Sequence, residues 1–182
     1  AVWALPFGRG HRWLGTAGPV TNLLLGGWTL SGINTMTSGE PVTLQYTPGP
    51  ALQVSGIQQD FRGANNYRPN VTGSPYNDKH SVTAYLSRDN VLVPTDPTQP
   101  FGNAPRNSVR GPSFWQMDLV AAKDVPVPLG ADTRLQLRLE AFNVLNHTNF
   151  RGPNGNRSSG AFGTITSTYD ARQLQLGVKL MF

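Results

Sequence analysis

Residues 172–182 read Arg-Gln-Leu-Gln-Leu-Gly-Val-Lys-Leu-Met-Phe, and their alternation decides the fold. Leu174, Leu176, Val178, Leu180 and Phe182 fall on one face of an extended strand. Gln173, Gln175, Gly177 and Lys179 fall on the other, because successive side chains of a strand point to opposite faces. The run is about as long as a β-strand that crosses a membrane, and it closes on an aromatic residue. A half-buried strand of a soluble sandwich shows the same alternation, so the surrounding sequence has to separate the two.

Working outward, residues 133–141 repeat the pattern. Leu135, Leu137 and Leu139 face one way and Arg134, Gln136, Arg138 and Glu140 the other. Before them Trp115, Met117, Leu119 and Ala121 alternate with Gln116, Asp118 and Val120, and the Pro-rich connection at 125–130 follows. Residues 20–36 read as one long extended segment with a bend or bulge at Gly26-Gly27. Residues 41–47 read as its returning hairpin strand, with the turn at Thr37-Ser-Gly-Glu40. Between about 48 and 112 prolines, glycines and asparagines recur, and only 52–57 and 82–86 suggest brief strands. Residues 143–160 read as a loop and 161–168 as a short strand. The expectation is an all-β, antiparallel chain: a single domain over 1–182, strand-rich at 1–47 and 113–182, with a loop-rich insertion at about 48–112. It has about seven or eight strands in a partial or small barrel with long Gly/Pro/Asn-rich loops.

Composition agrees. Only 14% of the 182 residues are charged, with 20 glycines and 15 prolines, against about a quarter charged in soluble domains. The net charge is +5, but the cations are scattered without interleaved aromatics, so no nucleic-acid partner is expected. The absence of cysteine excludes disulfides and thiolate metal sites. No apolar run approaches the roughly 18 residues of a transmembrane helix. The chain begins with Ala rather than Met, which suggests a processed chain or a piece of a longer one.

An ordered set of motifs runs through nearly the whole chain. They are Leu5-Pro-Phe-Gly-Arg-Gly-His-Arg-Trp-Leu14, Leu25-Gly-Gly-Trp-Thr-Leu-Ser-Gly-Ile33 and Phe101-Gly-Asn-Ala-Pro-Arg-Asn-Ser-Val-Arg-Gly-Pro112. Glu140-Ala-Phe-Asn-Val-Leu-Asn-His147, Phe162-Gly-Thr-Ile-Thr166 and the terminal strand complete it. In this order they resemble the C-terminal part of an Oar-like TonB-dependent outer-membrane receptor. The resemblance implies an outer-membrane location in a Gram-negative bacterium and a large antiparallel barrel around a plug, energised by TonB for transport. The chain departs from the family in having no plug, no TonB box and too few strands, so transport does not carry over to it acting alone.

Enzymatic signals are poor, and neither a catalytic, a cofactor-binding nor a metal site is expected. His11, His80 and His147 lack ligands at metal spacing. Asp118 and Glu140 are expected to pair across strands with Arg134, Arg138 or Lys179. Ser113, Ser158 and Ser159 lack a nucleophile elbow, the glycines at 151–155 lack a phosphate-loop lysine, and the sequons at 70–72 and 146–148 are incidental. Trp13, Trp28, Trp115 and Tyr169 are aromatic anchors, either in a membrane girdle or, in a soluble assembly, in the core or at an interface. Leu174, Leu176, Val178, Leu180 and Phe182 are the membrane-facing or assembly residues.

A partial barrel has two open edges. About five unpaired backbone groups per edge, at roughly 1–3 kcal/mol each when buried, rival the whole stability of a domain. The edges therefore need partners. Those are outer-membrane lipid together with the remaining receptor strands and plug, or a small barrel or sandwich formed by the chain itself, or copies of the chain. The last alternative is a processed fragment that assembles by intermolecular strand addition into an extracellular, cell-surface β-rich filament.

Overall fold

The computed structural model describes residues 1–48, 67–128 and 133–182. The chain divides into two compact units, one of Ala1–Met36, Trp115–Thr148 and Asp170–Phe182, the other of Thr37–Phe114 and Asn149–Tyr169. Among the described residues strands and one short helix make up the regular structure, and the all-β, antiparallel expectation holds.

The first unit is built on a five-stranded sheet. Its strands are β1 (Val2–Ala4), β2 (Trp28–Thr37), β9 (Phe114–Pro126), β10 (Arg134–Phe142) and β11 (Gln173–Met181), in the order β1-β2-β9-β10-β11. β10 pairs antiparallel with β11 from Arg134↔Met181 to Phe142↔Gln173 and with β9 from Arg134↔Pro126 to Ala141↔Leu119. The sheet does not close: β1 and β11 are its edges, and β1 contributes only three residues of pairing.

Residues 20–36 are not one strand. Pro19–Leu25 forms helix α1, and β2 starts only at Trp28. Val20, Leu23 and Leu24 stand at i, i+3 and i+4, a helical spacing that three consecutive leucines cannot satisfy in a half-buried strand. Pro19 occupies the first turn, where its missing N–H is no loss. Gly26 donates its N–H to the Asn22 carbonyl, and Gly27 takes φ 72°, so the glycine pair stops a helix instead of bulging a strand.

The second unit contains the strand pairs β3 (Pro41–Val42) with β8 (Val109–Arg110), β4 (Asn70–Val71) with β7 (Val91–Leu92), and β5 (Tyr76–Ser81) with β6 (Ala84–Leu86). With these short pairs the described residues hold eleven strands. Residues 41–47 do not return alongside β2. Only Pro41–Val42 is strand, and it pairs with β8 because Gly39 lies so close to Gly111 that a Cβ there would sit 1.7 Å from the Gly111 carbonyl oxygen. Beyond it Leu44 and Tyr46 are fully buried in the core. The expected strand at 161–168 is a turn with one isolated bridge, Phe150↔Thr168. Gly163 (φ 78°) packs against Leu86 there, and Thr164 bonds back to the Ala161 carbonyl. The brief strand expected at 82–86 is realised as β6, and the one expected at 52–57 lies outside the described residues.

Asparagine side chains organise this unit. Asn103 accepts from the Val71 N–H (2.7 Å) and donates to the Val71 carbonyl (3.2 Å). Asn107 (φ 55°) exchanges hydrogen bonds with the Thr43 hydroxyl. Arg157 and Arg88 flank the Phe162 ring at 5.6 and 5.5 Å. Burial, then the neighbouring Arg88, holds the Arg157 pKa below its usual value.

Candidate membrane-facing surface

All ten buried core hydrophobics of the described residues, from Leu44 to Ile165, belong to the second unit. Conversely, every exposed large hydrophobic except Val82, Leu92 and Phe101 belongs to the first. The five-stranded sheet therefore has no apolar core of its own, and its apolar side chains stand outward.

Register places them on one face. Leu135, Leu137, Leu139 and Ala141 of β10 lie opposite Leu180, Val178, Leu176 and Leu174 of β11, and opposite Val125, Lys123, Ala121 and Leu119 of β9. Trp3 lies opposite Leu30, and the two-residue period adds Trp28 and Met36 to the Leu30 side of β2. Leu174, Leu176, Val178 and Leu180 are 67, 76, 64 and 48% exposed, and Phe182 is 99% exposed. The other face carries Arg134, Gln136, Arg138, Glu140, Gln173, Gln175 and Lys179, with Val2, Ile33, Phe114, Val120, Phe142 and Met181 as apolar exceptions.

Strand length fits a bilayer. Nine residues of β10 or β11 rise about 30 Å, which a tilt of 35–45° reduces to about 22–25 Å, close to the roughly 25 Å apolar band of an outer-membrane barrel. Moving the exposed part of each β11 leucine from water into hydrocarbon stabilises by about 1–2 kcal/mol.

The polar face is hydrogen-bonded along its strands. Glu140 pairs with Arg138 of its own strand at 2.6 Å, not with a cation on a neighbouring strand, and Gly177 opposite Arg138 leaves the guanidinium room to turn. Asp118 is held by amides instead of a cation, accepting from Gln116 Nε2 (2.7 Å) and the Asn143 N–H (2.8 Å).

The aromatic candidates lie in separate places. Trp13 packs edge-on to Phe7 at 6.3 Å and is 56% exposed. Trp28 opens β2 and donates its indole N–H to the Leu24 carbonyl at 2.9 Å. Trp115, at the start of β9, meets the His147 ring at 5.2 Å. Tyr169 belongs to the second unit, where it meets the Phe114 ring edge-on (5.0 Å), lies under Arg151 (4.4 Å) and donates to Glu40. That hydrogen bond raises the Tyr169 pKa above 10.0.

Two residues escaped sequence reasoning. Lys123 continues the phase of Leu119 and Ala121, so it stands on the apolar face. There it is 6% exposed, donates to the Gly26 carbonyl and lies 5.2 Å from the Trp28 ring centre. The signal was present as a cation in the apolar register. Asn143 (φ 51°, 2% exposed) donates to the His147 carbonyl and accepts from the His147 N–H at 2.9 Å each. Among the described residues no group of three metal-ligating side chains converges.

Comparison with known proteins agrees with this geometry. A family model described as an outer membrane beta barrel domain matches residues 1–175. Neither the curated proteins nor the solved structures contain a match to the chain. The matched span, the antiparallel strands of membrane-crossing length and the outward apolar face agree: the chain belongs to the outer-membrane β-barrel domain family, and its place is the outer membrane.

Proposed function

We propose that the chain is the C-terminal wall of a TonB-dependent receptor barrel of the Oar type, completed at both edges by further strands of the receptor. The open β1-β2-β9-β10-β11 sheet carries this reading, since its two unpaired edges have to be matched inside a bilayer. The face of Leu174, Leu176, Val178, Leu180 and Phe182 meets lipid, and the face of Gln173, Gln175 and Lys179 lines the lumen. Trp28 and Trp115 belong to girdles at opposite ends of the strands, with Trp13 beside the first. Tyr169 lies outside the apolar band.

Both segments of the second unit are inserted between strand ends of one kind, after β2 and before β9, and after β10 and before β11. Barrels of this class carry their long connections outside the cell, so this unit is an extracellular lobe with a core of its own. No residue is assigned to catalysis.

Electrophoresis of the outer-membrane protein with and without heating tests the barrel: a mobility shift on heating is expected. Regular fibres in detergent-free water, with no such shift, overturn it in favour of strand addition between copies, which draws on the same two open edges. Site-specific crosslinking of the membrane-extracted receptor to TonB tests the energised part, and a protein that never crosslinks is a barrel of another kind.

A further inference from the structure

Within the first unit, α1, the segment before it and the end of β9 border an open cleft of about 420 Å³. That volume falls among small-ligand sites, roughly 300–1,000 Å³. Arg9, His11 and Lys123 bring donors to it, and Leu23, Val125 and Pro126 supply an apolar wall. Asp124 also lines it, but alternation turns the Asp124 carboxyl to the opposite face of β9, where it accepts from Gln136 Nε2 at 2.8 Å. The side chains left on the cleft side are cationic or neutral.

The donors are held in place. The Arg9 backbone N–H is bound by Asn22 Oδ1 at 2.7 Å, and its Nε donates to the Ala17 carbonyl at 3.0 Å, which uses one of five guanidinium donors. Lys123 is fixed by the Gly26 carbonyl and the Trp28 ring. Around the cleft Trp13, Val20, Leu23, Leu24 and Leu25 are each at least half exposed. A seven-residue helix with such a surface gains nothing from water, whereas acyl chains would cover it.

We propose that this cleft binds the phosphodiester headgroup of an anionic phospholipid, its phosphate against Arg9, His11 and Lys123 and its acyl chains along Leu23 to Leu25 and the apolar face of β9. The inference rests on the reading of that face as lipid-facing, but not on TonB dependence. The shared chemistry is a phosphate; the apolar surround selects the lipid over a free ion.

The test is native mass spectrometry of the outer-membrane protein in detergent, titrated with phosphatidylglycerol, phosphatidylcholine or inorganic phosphate. Phosphatidylglycerol is expected to be retained preferentially. Arg9→Gln weakens retention about five-fold and R9Q/H11Q about ten-fold or more. K79Q, which removes the same charge from the exposed β5, leaves retention unchanged. Lys123 is kept, because its buried ammonium also ties β9 to the end of α1. Equal retention of both lipids, indifference to R9Q/H11Q, or binding of inorganic phosphate without the lipid each overturn the proposal. Heat-modifiable mobility of the same preparation reports separately on the barrel, so a lost lipid site and a failed barrel are told apart.

Discussion

Asn143 shows how much a single side chain carries at the end of β10. It holds φ 51° while its amide closes a ring with His147 from both sides and its N–H reaches Asp118. Asn143→Ala leaves buried partners unmatched, about 1–3 kcal/mol, and removes the short polar side chain that makes asparagine tolerant of the left-handed region. A loss of about 1–3 kcal/mol is expected in urea unfolding from liposomes. Asn143→Gly recovers only the backbone share. Tyr169 gives a pH-dependent counterpart in the second unit. The hydrogen bond to Glu40, then burial, raises its pKa above 10.0 in the folded chain. This contribution is fully present below pH 10 and disappears as pH rises through the raised value. Burial raises the pKa of Tyr46 and Tyr85 as well, so tyrosinate absorbance should show a late-titrating set from which Tyr169→Phe removes one member. Neither role was readable from residue type: asparagine in a polar run signals a turn, but not that its amide clamps the His147 backbone or that the distant Asp118 takes its N–H.

At the scale of the strand, alternation predicts opposite outcomes for neighbours. Leu176→Arg puts a cation on the apolar face of β11, and near the bilayer centre this costs about 2–4 kcal/mol. Gln175→Arg, one residue away, lies opposite Glu140 and should be neutral or gain up to about 1 kcal/mol. Equal effects of the two in liposome-refolding titrations would remove the face assignment. β9, β10 and β11 were legible because two-residue periodicity survives wherever each face meets one environment. The stretch before β2 was misread because Val20, Leu23 and Leu24 suit a helix as well as a buried strand, and Pro19 with Gly26-Gly27 decides the matter at its ends. Residues 41–47 alternate like a strand, but Leu44 and Tyr46 enter the core of the second unit instead of a ladder beside β2. Lys123 was visible as a charge in the apolar phase; its partners, the Gly26 carbonyl and the Trp28 ring, were not.

Across the whole molecule, single-cysteine labelling can read the proposed sidedness cleanly, because the native chain has no cysteine. A membrane-impermeant maleimide should label Ser74→Cys or Asp96→Cys on intact cells and spare Val127→Cys, which lies in the connection between β9 and β10. The reverse pattern would invert the topology. The family's outer-membrane character was legible early, since the terminal stripe and ordered motifs persist in sequence. The division into two units was not, because a loop-rich sequence gives no period from which a core can be foretold. That division sets how each part tolerates change. The second unit is filled by Leu44, Tyr46, Leu86, Val91 and Phe162, so its substitutions are filtered by volume and shape, position by position. The sheet takes hydrocarbon as its filling, a fluid that adapts to any apolar outline. A mutational scan should therefore oscillate with a period of two along β10 and β11, indifferent to the size of an apolar side chain but not to its polarity, and show no period at all in the second unit.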